Sequence, residues 1–349
     1  MPEPGTGLEK PRYSRIVTHD DFDGVVSAVL VSLAERIEVF LFTGPGSILN
    51  MGLGIGPDTI VCDLPHHPAA GLWFDHHAGN LEDYRLKGGD PAAIRGAFSP
   101  EKSCARVVFN HFAAAAQFPD FLVNTVEEAD TIDSFDYRNI EEWQRETPGK
   151  AISETLRVPF ETFRERTGYL RHLIRRIRAA PLAEVAAEPE VRQRIASYRE
   201  TAEKNRVLIE RLASFLPGDT AREIVVLDTT ALKHEPSLIK SLAFLSFPDA
   251  DAVLEVRCLF RQKRKTNDLG FSLSLSPRLE VQTSARDVGE IMRTLNIGDG
   301  HRGAGAGKTT CGSKAAMLKV KEETLREILA LWRRQAQTPP PPAVSDPQA

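Results

Sequence analysis

Histidine and aspartate recur in four clusters within the first 136 residues: His19-Asp20-Asp21-Phe22-Asp23-Gly24, then Cys62-Asp63, then Asp75-His76-His77, then Asp130 with Asp133 and Asp136 close behind. Hard divalent ions such as Mn²⁺ and Mg²⁺ take carboxylate oxygens, and Mn²⁺ accepts imidazole as well. A pair of ions about 3.5–4 Å apart needs at least one shared ligand, so this inventory suits two ions. Alternate residues of an extended turn, His19, Asp21 and Asp23, project to one side, and Gly24 lets the chain turn tightly into a helix. Aspartate is also a frequent helix N-cap, and a histidine beside an apolar run is often only a satisfied polar neighbour, so no single residue carries the reading. Its weight comes from four clusters in one order and from the gathering of His19, His76 and His77, three of the chain's nine histidines.

The elements that must position these groups are legible as strands alternating with helices. Ile16 and Val17 open a short strand that runs into the polar turn, and GVVSAVLVSLAERI has helical spacing. IEVFLF, TIVCDL and GLWFDHH read as further strands, so an α/β fold with a parallel sheet is expected, the acidic and histidine clusters lying at the carboxyl ends of its strands, where such sheets bind ligands. From Phe160 to Phe215 long amphipathic helices take over, with Leu170, Leu173, Ile174 and Ile177 on one stripe. Strand signals return at EIVVLDT, DAVLEVRCLF and GFSLSLS, separated by a helical PSLIKSLAFLSF and closed by a helix near Glu322 to Arg334. The expected organisation is an N-terminal parallel-sheet domain over 14–145, a helical bridge over 146–220, a smaller C-terminal α/β domain over 221–336 and an extended, proline-rich tail over 337–349.

Composition bounds the function classes. A formal charge of -4 gives no general attraction to nucleic acid or anionic lipid, so any phosphate grip is local. No apolar run approaches a signal peptide or a membrane span, which makes a cytoplasmic enzyme the expectation. Cys62, Cys104, Cys258 and Cys311 form no CxxC pair and are expected as reduced, buried thiols. The arginines of 164–178 and the RQKRK run at 261–265 lack interleaved aromatics and read as a charged helix face and a guarded hairpin edge. The run GDGHRGAGAG, Gly298 to Gly307, suits a phosphate cup in which amides approach an anion and His301, Arg302 and Lys308 add donors. GAGKTT is not a nucleotide-triphosphatase P-loop, because GxxxxGK[ST] requires glycine where Arg302 stands.

In these four clusters the chain resembles the DHH phosphoesterases: HxDxDG is present at His19 to Gly24, the isolated aspartate as Asp63, the name-giving triplet as Asp75-His76-His77, and the fourth motif as Asp130-Thr131. The glycine run is similar to the GGHxxAAG-type loop of the DHH-associated domain, departing from it at Asp299 and in its Ala-Gly-Ala-Gly ending. The resemblance implies that His19 and Asp21 hold one ion, that Asp23, His76 and Asp130 hold the other, and that Asp63 bridges both. His77 would face the phosphate, and Asp133 stands as the alternative to Asp130. Gly300, His301, Arg302, Gly303, Gly305 and Lys308 would contact substrate. It further implies two Mn²⁺ ions, with Mg²⁺ as a substitute, and metal-assisted hydrolysis of a short single-stranded oligonucleotide or a nucleotide phosphate. Inorganic polyphosphate is the second substrate class, and a phosphate-ligand sensor without catalysis is the rival outside the enzymes.

Overall fold

The computed structural model describes residues 12–49, 52–234, 238–279, 284–300 and 302–337, so the tail expected from 338 onward, and His301, lie outside the described residues. The chain divides into two units, one of Met1–Ser134 and Thr147–Ala196, the other of Phe135–Glu146 and Ser197–Ala349. No helix among the described residues is long and apolar enough to cross a membrane.

In the first unit, β1 (Arg15–Thr18), β2 (Phe40–Phe42), β3 (Thr59–Cys62), β4 (Leu72–Asp75) and β5 (Gly96–Phe98) form an all-parallel sheet in the order β2-β1-β3-β4-β5. This confirms the parallel α/β expectation; β5 carries no strand signal beyond Ala97 and Phe98, and it forms because Trp73 and Phe74 offer an edge for pairing. Helices α1 (Phe22–Glu35), α2 (Ala78–Leu86), α3 (Cys104–Phe112), α4 (Phe121–Asp133), α6 (Pro148–Thr155), α7 (Phe163–Ala179) and α8 (Leu182–Ala186) complete the unit, while α5 (Ile140–Gln144) belongs to the second. Helix α1 is buried on nearly every side, Phe22 through Ser32, because α3, α4 and α7 pack around it. That burial seats the metal-type turn just before it on rigid structure.

Four of the arginines on α7 are held by specific partners, which neither a solvated face nor a nucleic-acid track requires. Arg166 donates to the Asp20 carbonyl at 3.1 Å and pairs with its carboxylate at 2.8 Å; Arg171 donates to the Phe40 carbonyl at 2.9 Å. Arg176 pairs with Glu188 and Arg178 with Glu38.

The helix α9 (Pro189–Leu212) follows, and the second unit's sheet then collects β6 (Ala213–Phe215), β7 (Ile224–Asp228), β8 (Ala252–Arg261), β9 (Arg264–Leu275), β10 (Gly298–Gly300) and β11 (Ala304–Thr309) in the order β10-β11-β9-β8-β7-β6. Only β7 and β8 pair in parallel. Helices α10 (Ala243–Ser246), α11 (Val288–Thr294) and α12 (Lys314–Ala336) accompany it. Over the described part of PSLIKSLAFLSF the expected helix is a 3₁₀ turn at Lys240–Leu242 followed by the single turn of α10. The RQKRK run closes the β8–β9 hairpin, with Gln262 and Lys263 at positive φ, Arg261 paired to Asp268, and the Lys265 ammonium donating to the Thr230 and Leu232 carbonyls.

Among the described residues the glycine run is largely strand: Gly298 to Gly300 and Ala304 to Thr309 are the paired strands β10 and β11. A Cβ at Gly298 would lie 1.9 Å from the Ala306 carbonyl oxygen and one at Gly300 2.3 Å from that of Ala304. The glycines therefore serve close strand pairing, and at Gly305 close packing of α11, whose Val288 oxygen would be 2.9 Å from an added Cβ. Gly303 accepts from the Leu275 amide, the Arg302 guanidinium donates to the Ser284 carbonyl at 2.7 Å, and Lys308 is exposed near the end of β11.

Candidate metal centre

The carboxyl ends of β1, β3 and β4 bring the first three clusters together. Asp21 caps α1, its Oδ1 accepting from the Gly24 amide at 2.9 Å, so a structural role is real here; its other oxygen lies 2.7 Å from His19 Nδ1. Gly24 is obligatory, because a Cβ there would sit 2.3 Å from the His19 carbonyl oxygen. Asp23 points the other way along the turn and accepts from the Cys104 and Ala105 amides at 2.7 and 2.8 Å, tying α1 to the N-terminus of α3.

Asp63 follows β3 with φ of 56°, a left-handed backbone unusual for aspartate outside turns. Both of its carboxylate oxygens are sealed from solvent and have no hydrogen-bond partner among the described residues. Around them stand His19 Nδ1 at 3.5 Å, His77 Nδ1 at 3.7 Å and His76 Nε2 at 3.8 Å. A buried carboxylate without hydrogen bonds is costly unless a cation compensates it.

Asp75 is the organiser of the DHH triplet. Fully buried, it accepts from the amides of His76 and His77 and from His77 Nδ1 at 2.8 Å on one oxygen, and from the Asn80 amide group at 2.6 Å on the other. Asn80, whose side chain holds Asp75, is a residue that sequence reasoning misses; a short polar side chain on the helical turn after the DHH triplet is the only signal for it. His76 Nδ1 faces the Glu101 carbonyl oxygen at 3.0 Å, an outer contact that turns Nε2 toward Asp23, Asp63 and Asp133.

The fourth cluster divides differently from the order that the resemblance implies. Asp130 is occupied: Ser103 Oγ donates to one oxygen at 2.6 Å and the Arg106 guanidinium to the other at 2.6 and 2.9 Å, joining α3 to α4. Asp133, one turn further along α4, stands 3.3 Å from His76 Nε2 and shares a metal-type group with Asp23 and His76. A second group, Asp63 with Asp75, His76 and His77, shares His76 with it, and a third, His19 with Asp21 and Asp63, shares Asp63 with the second.

Crowded carboxylates in this setting resist ionising together. Burial, then the charge of Asp21, lifts Asp23 to about 7, while burial and the charges of Asp23 and Asp21 push Asp63 and Asp133 well above the carboxylate range. Burial works against the charged form of His19, but the hydrogen-bonded Asp21 carboxylate outweighs it and raises the ring to about 9. Divalent cations would supply the missing compensation, so the donor set fits them. The sign of the pH dependence follows. Asp23 holds a proton in the folded state that the unfolded chain has released between its ordinary 3.8 and about 7, and the stability His19 contributes is full below 6.5 and lost as pH rises through about 9. The metal-free protein is therefore expected to melt lower as pH rises from about 4 to about 9, and Mn²⁺ loading at pH 6 to release protons. Differential scanning calorimetry and titration in buffers of unequal ionisation enthalpy measure the two effects; a melting point flat in pH together with no proton release contradicts the charge arrangement.

No family model and no curated protein matches the chain. Solved structures do. The pGpG-specific phosphodiesterase PggH from Vibrio cholerae superposes with a TM-score of 0.64 at 23% identity, over 91% of this chain and 99% of that one. The DHH domain of a member of a ribosomal-protein family gives 0.55 at 13%, over 95% and 88%. An exopolyphosphatase-related protein from Bacteroides fragilis gives 0.50 at 11%, over 93% and 94%. At these identities the likeness is one of fold, and the fold is that of the DHH-domain proteins.

Proposed function

From a DHH-domain fold with a carboxylate and imidazole centre at its strand ends, we propose that the protein is a divalent-metal-dependent phosphodiesterase acting on short oligonucleotides or small nucleotide phosphates, with pGpG the first substrate to test. The observation that carries this reading is Asp63, a sealed carboxylate without hydrogen bonds and faced by three imidazoles. His19 and Asp21 would hold one ion, Asp23, His76 and Asp133 the other, and Asp63 both. Bound divalent ions supply Lewis-acid chemistry to a phosphate, acidifying water and offsetting charge on the phosphoryl oxygens.

The remaining groups act on substrate. Asp75 holds His77 by its Nδ1 and favours the charged ring: burial opposes that charge, and the Asp75 hydrogen bond raises the pKa above the ordinary value. His77 is thereby oriented to donate from its Nε2 to a phosphoryl oxygen. In the second unit Arg302 and the exposed Lys308 are proposed as phosphate contacts, with the backbone around Gly300, Gly303 and Gly305 supporting them.

The test is chelation followed by metal return. Protein stripped with EDTA is expected to cleave nothing, and Mn²⁺ to restore cleavage more than Zn²⁺ or Ca²⁺ does, since Mn²⁺ tolerates a mixed histidine and carboxylate shell. Substrates are pGpG, longer single strands and polyphosphate, separated by product size. If no metal restores cleavage of any of them, a binding-only protein is the better reading.

A further inference from the structure

Each imidazole of the centre has a ring nitrogen turned away from the ligand group, and an oxygen stands against each of these. His76 Nδ1 faces the Glu101 carbonyl at 3.0 Å, and His77 Nδ1 faces Asp75 at 2.8 Å. His19 directs Nδ1 at Asp21 and Asp63, at 2.7 and 3.5 Å, so its outward nitrogen is Nε2. That nitrogen faces Asp20 Oδ1 at 3.8 Å. A neutral imidazole that ligates through Nδ1 carries its proton on Nε2, where a carboxylate orients the ring and makes it a better donor to metal.

The three acceptors are fixed by different means. The Glu101 oxygen belongs to the main chain, and Asp75 is fully buried and held by two amides and Asn80. Asp20 is half-buried, in the turn between His19 and Asp21. Its hold comes from 146 residues away, where Arg166 of α7 donates from Nη2 to the Asp20 carbonyl at 3.1 Å and pairs with Oδ2 at 2.8 Å. One guanidinium thus fixes both the main chain and the side chain of Asp20 and leaves Oδ1 to His19. The guanidinium also stands 5.8 Å from the ring of Phe160, which packs against the core of this unit. Arg166 Nε is sealed from solvent and has no hydrogen-bond partner among the described residues. A partly exposed ion pair adds little to fold stability, too little to offset a donor left unpaired, so stability does not account for this arginine.

We infer that Arg166, acting through Asp20, positions His19 and sets the affinity of the metal position formed by His19 and Asp21, while the position formed by Asp23, His76 and Asp133 does not depend on it. The inference rests on the metal reading proposed above.

The full chain, stripped with EDTA and freed of chelator, is titrated with MnCl₂ while free Mn²⁺ is followed by electron paramagnetic resonance, with no substrate present. Arg166→Ala is expected to weaken one bound Mn²⁺ by about 10–100-fold, the range for losing an outer partner of a ligating histidine, and to leave the other nearly unchanged. The sign is diagnostic. Deleting a nearby positive charge would by Coulomb attraction alone tighten cation binding. Millimolar guanidinium should restore most of the loss and equal NaCl none, and Arg166→Lys, whose ammonium lacks the planar fork, should fall between. Unchanged or tighter Mn²⁺ binding in Arg166→Ala, an even loss over both ions, or a loss that guanidinium leaves in place overturns the pair. If that variant does not fold, Asp20→Asn is read instead, since it keeps the carbonyl that Arg166 holds and removes the carboxylate that faces His19. The same one-ion loss is expected there, and unchanged affinity overturns the pair. Wild-type protein that takes up no Mn²⁺ removes the metal reading and the pair with it; wild-type uptake that the variants leave unaltered removes the pair alone.

Discussion

Replacing Asp63 with asparagine is expected to lower phosphodiester cleavage by at least about 1000-fold, equivalent to about 4 kcal/mol of barrier, and to cost the protein most of its bound Mn²⁺. Asparagine keeps the shape and tolerates the left-handed backbone at φ 56°, so the fold should survive, whereas alanine adds backbone strain to the lost ligand. The variant should also be more stable than the parent when both are metal-free. Asp63 is buried, without hydrogen bonds, and crowded by the charges of Asp23 and Asp21, so its removal relieves a cost that only cations offset. Loss of activity with raised metal-free stability is a pairing that a structural aspartate does not give. Retention of more than about a tenth of the activity removes Asp63 from the chemistry, since tenfold is only about 1.4 kcal/mol.

The second large effect separates two aspartates one helical turn apart. Asp133→Asn is expected to cut cleavage about 100-fold or more and weaken Mn²⁺ binding with little change in the metal-free fold, because Asp133 faces His76 Nε2 at 3.3 Å and caps nothing. Asp130→Asn is expected to act on stability instead, by about 2–3 kcal/mol, because it breaks the pair with Arg106 and the bond from Ser103 that join α3 to α4. Urea unfolding with and without Mn²⁺, alongside Mn²⁺ titration, checks both. The reverse assignment, with metal lost in Asp130→Asn and stability lost in Asp133→Asn, would return Asp130 to the centre.

The first three clusters are legible because their spacing is local: a strand end, a polar turn and Gly24 specify where His19, Asp21 and Asp23 go, and the triplet at Asp75 repeats the logic at β4. The choice within the fourth is not legible, since Asp130 is claimed by Ser103 and Arg106, partners 27 and 24 residues away on another helix. Spacing along α4 places Asp130 and Asp133 on a similar side but is silent about what stands opposite them. The strands β10 and β11 are hidden for a different reason. GDGHRGAGAG has no β-branched or aromatic residue to announce a strand, and β10 pairs with β11 through glycines at which a Cβ would meet the Ala306 and Ala304 carbonyls.

The central claim, that Asp63 joins two divalent ions, is tested most directly by anomalous diffraction at the manganese edge from crystals of the protein soaked in MnCl₂. The account predicts two peaks about 3.5–4 Å apart with the Asp63 carboxylate between them, one beside His19 and Asp21 and the other beside Asp23, His76 and Asp133. A single peak that Asp63 does not touch, or no manganese at this centre, would contradict it.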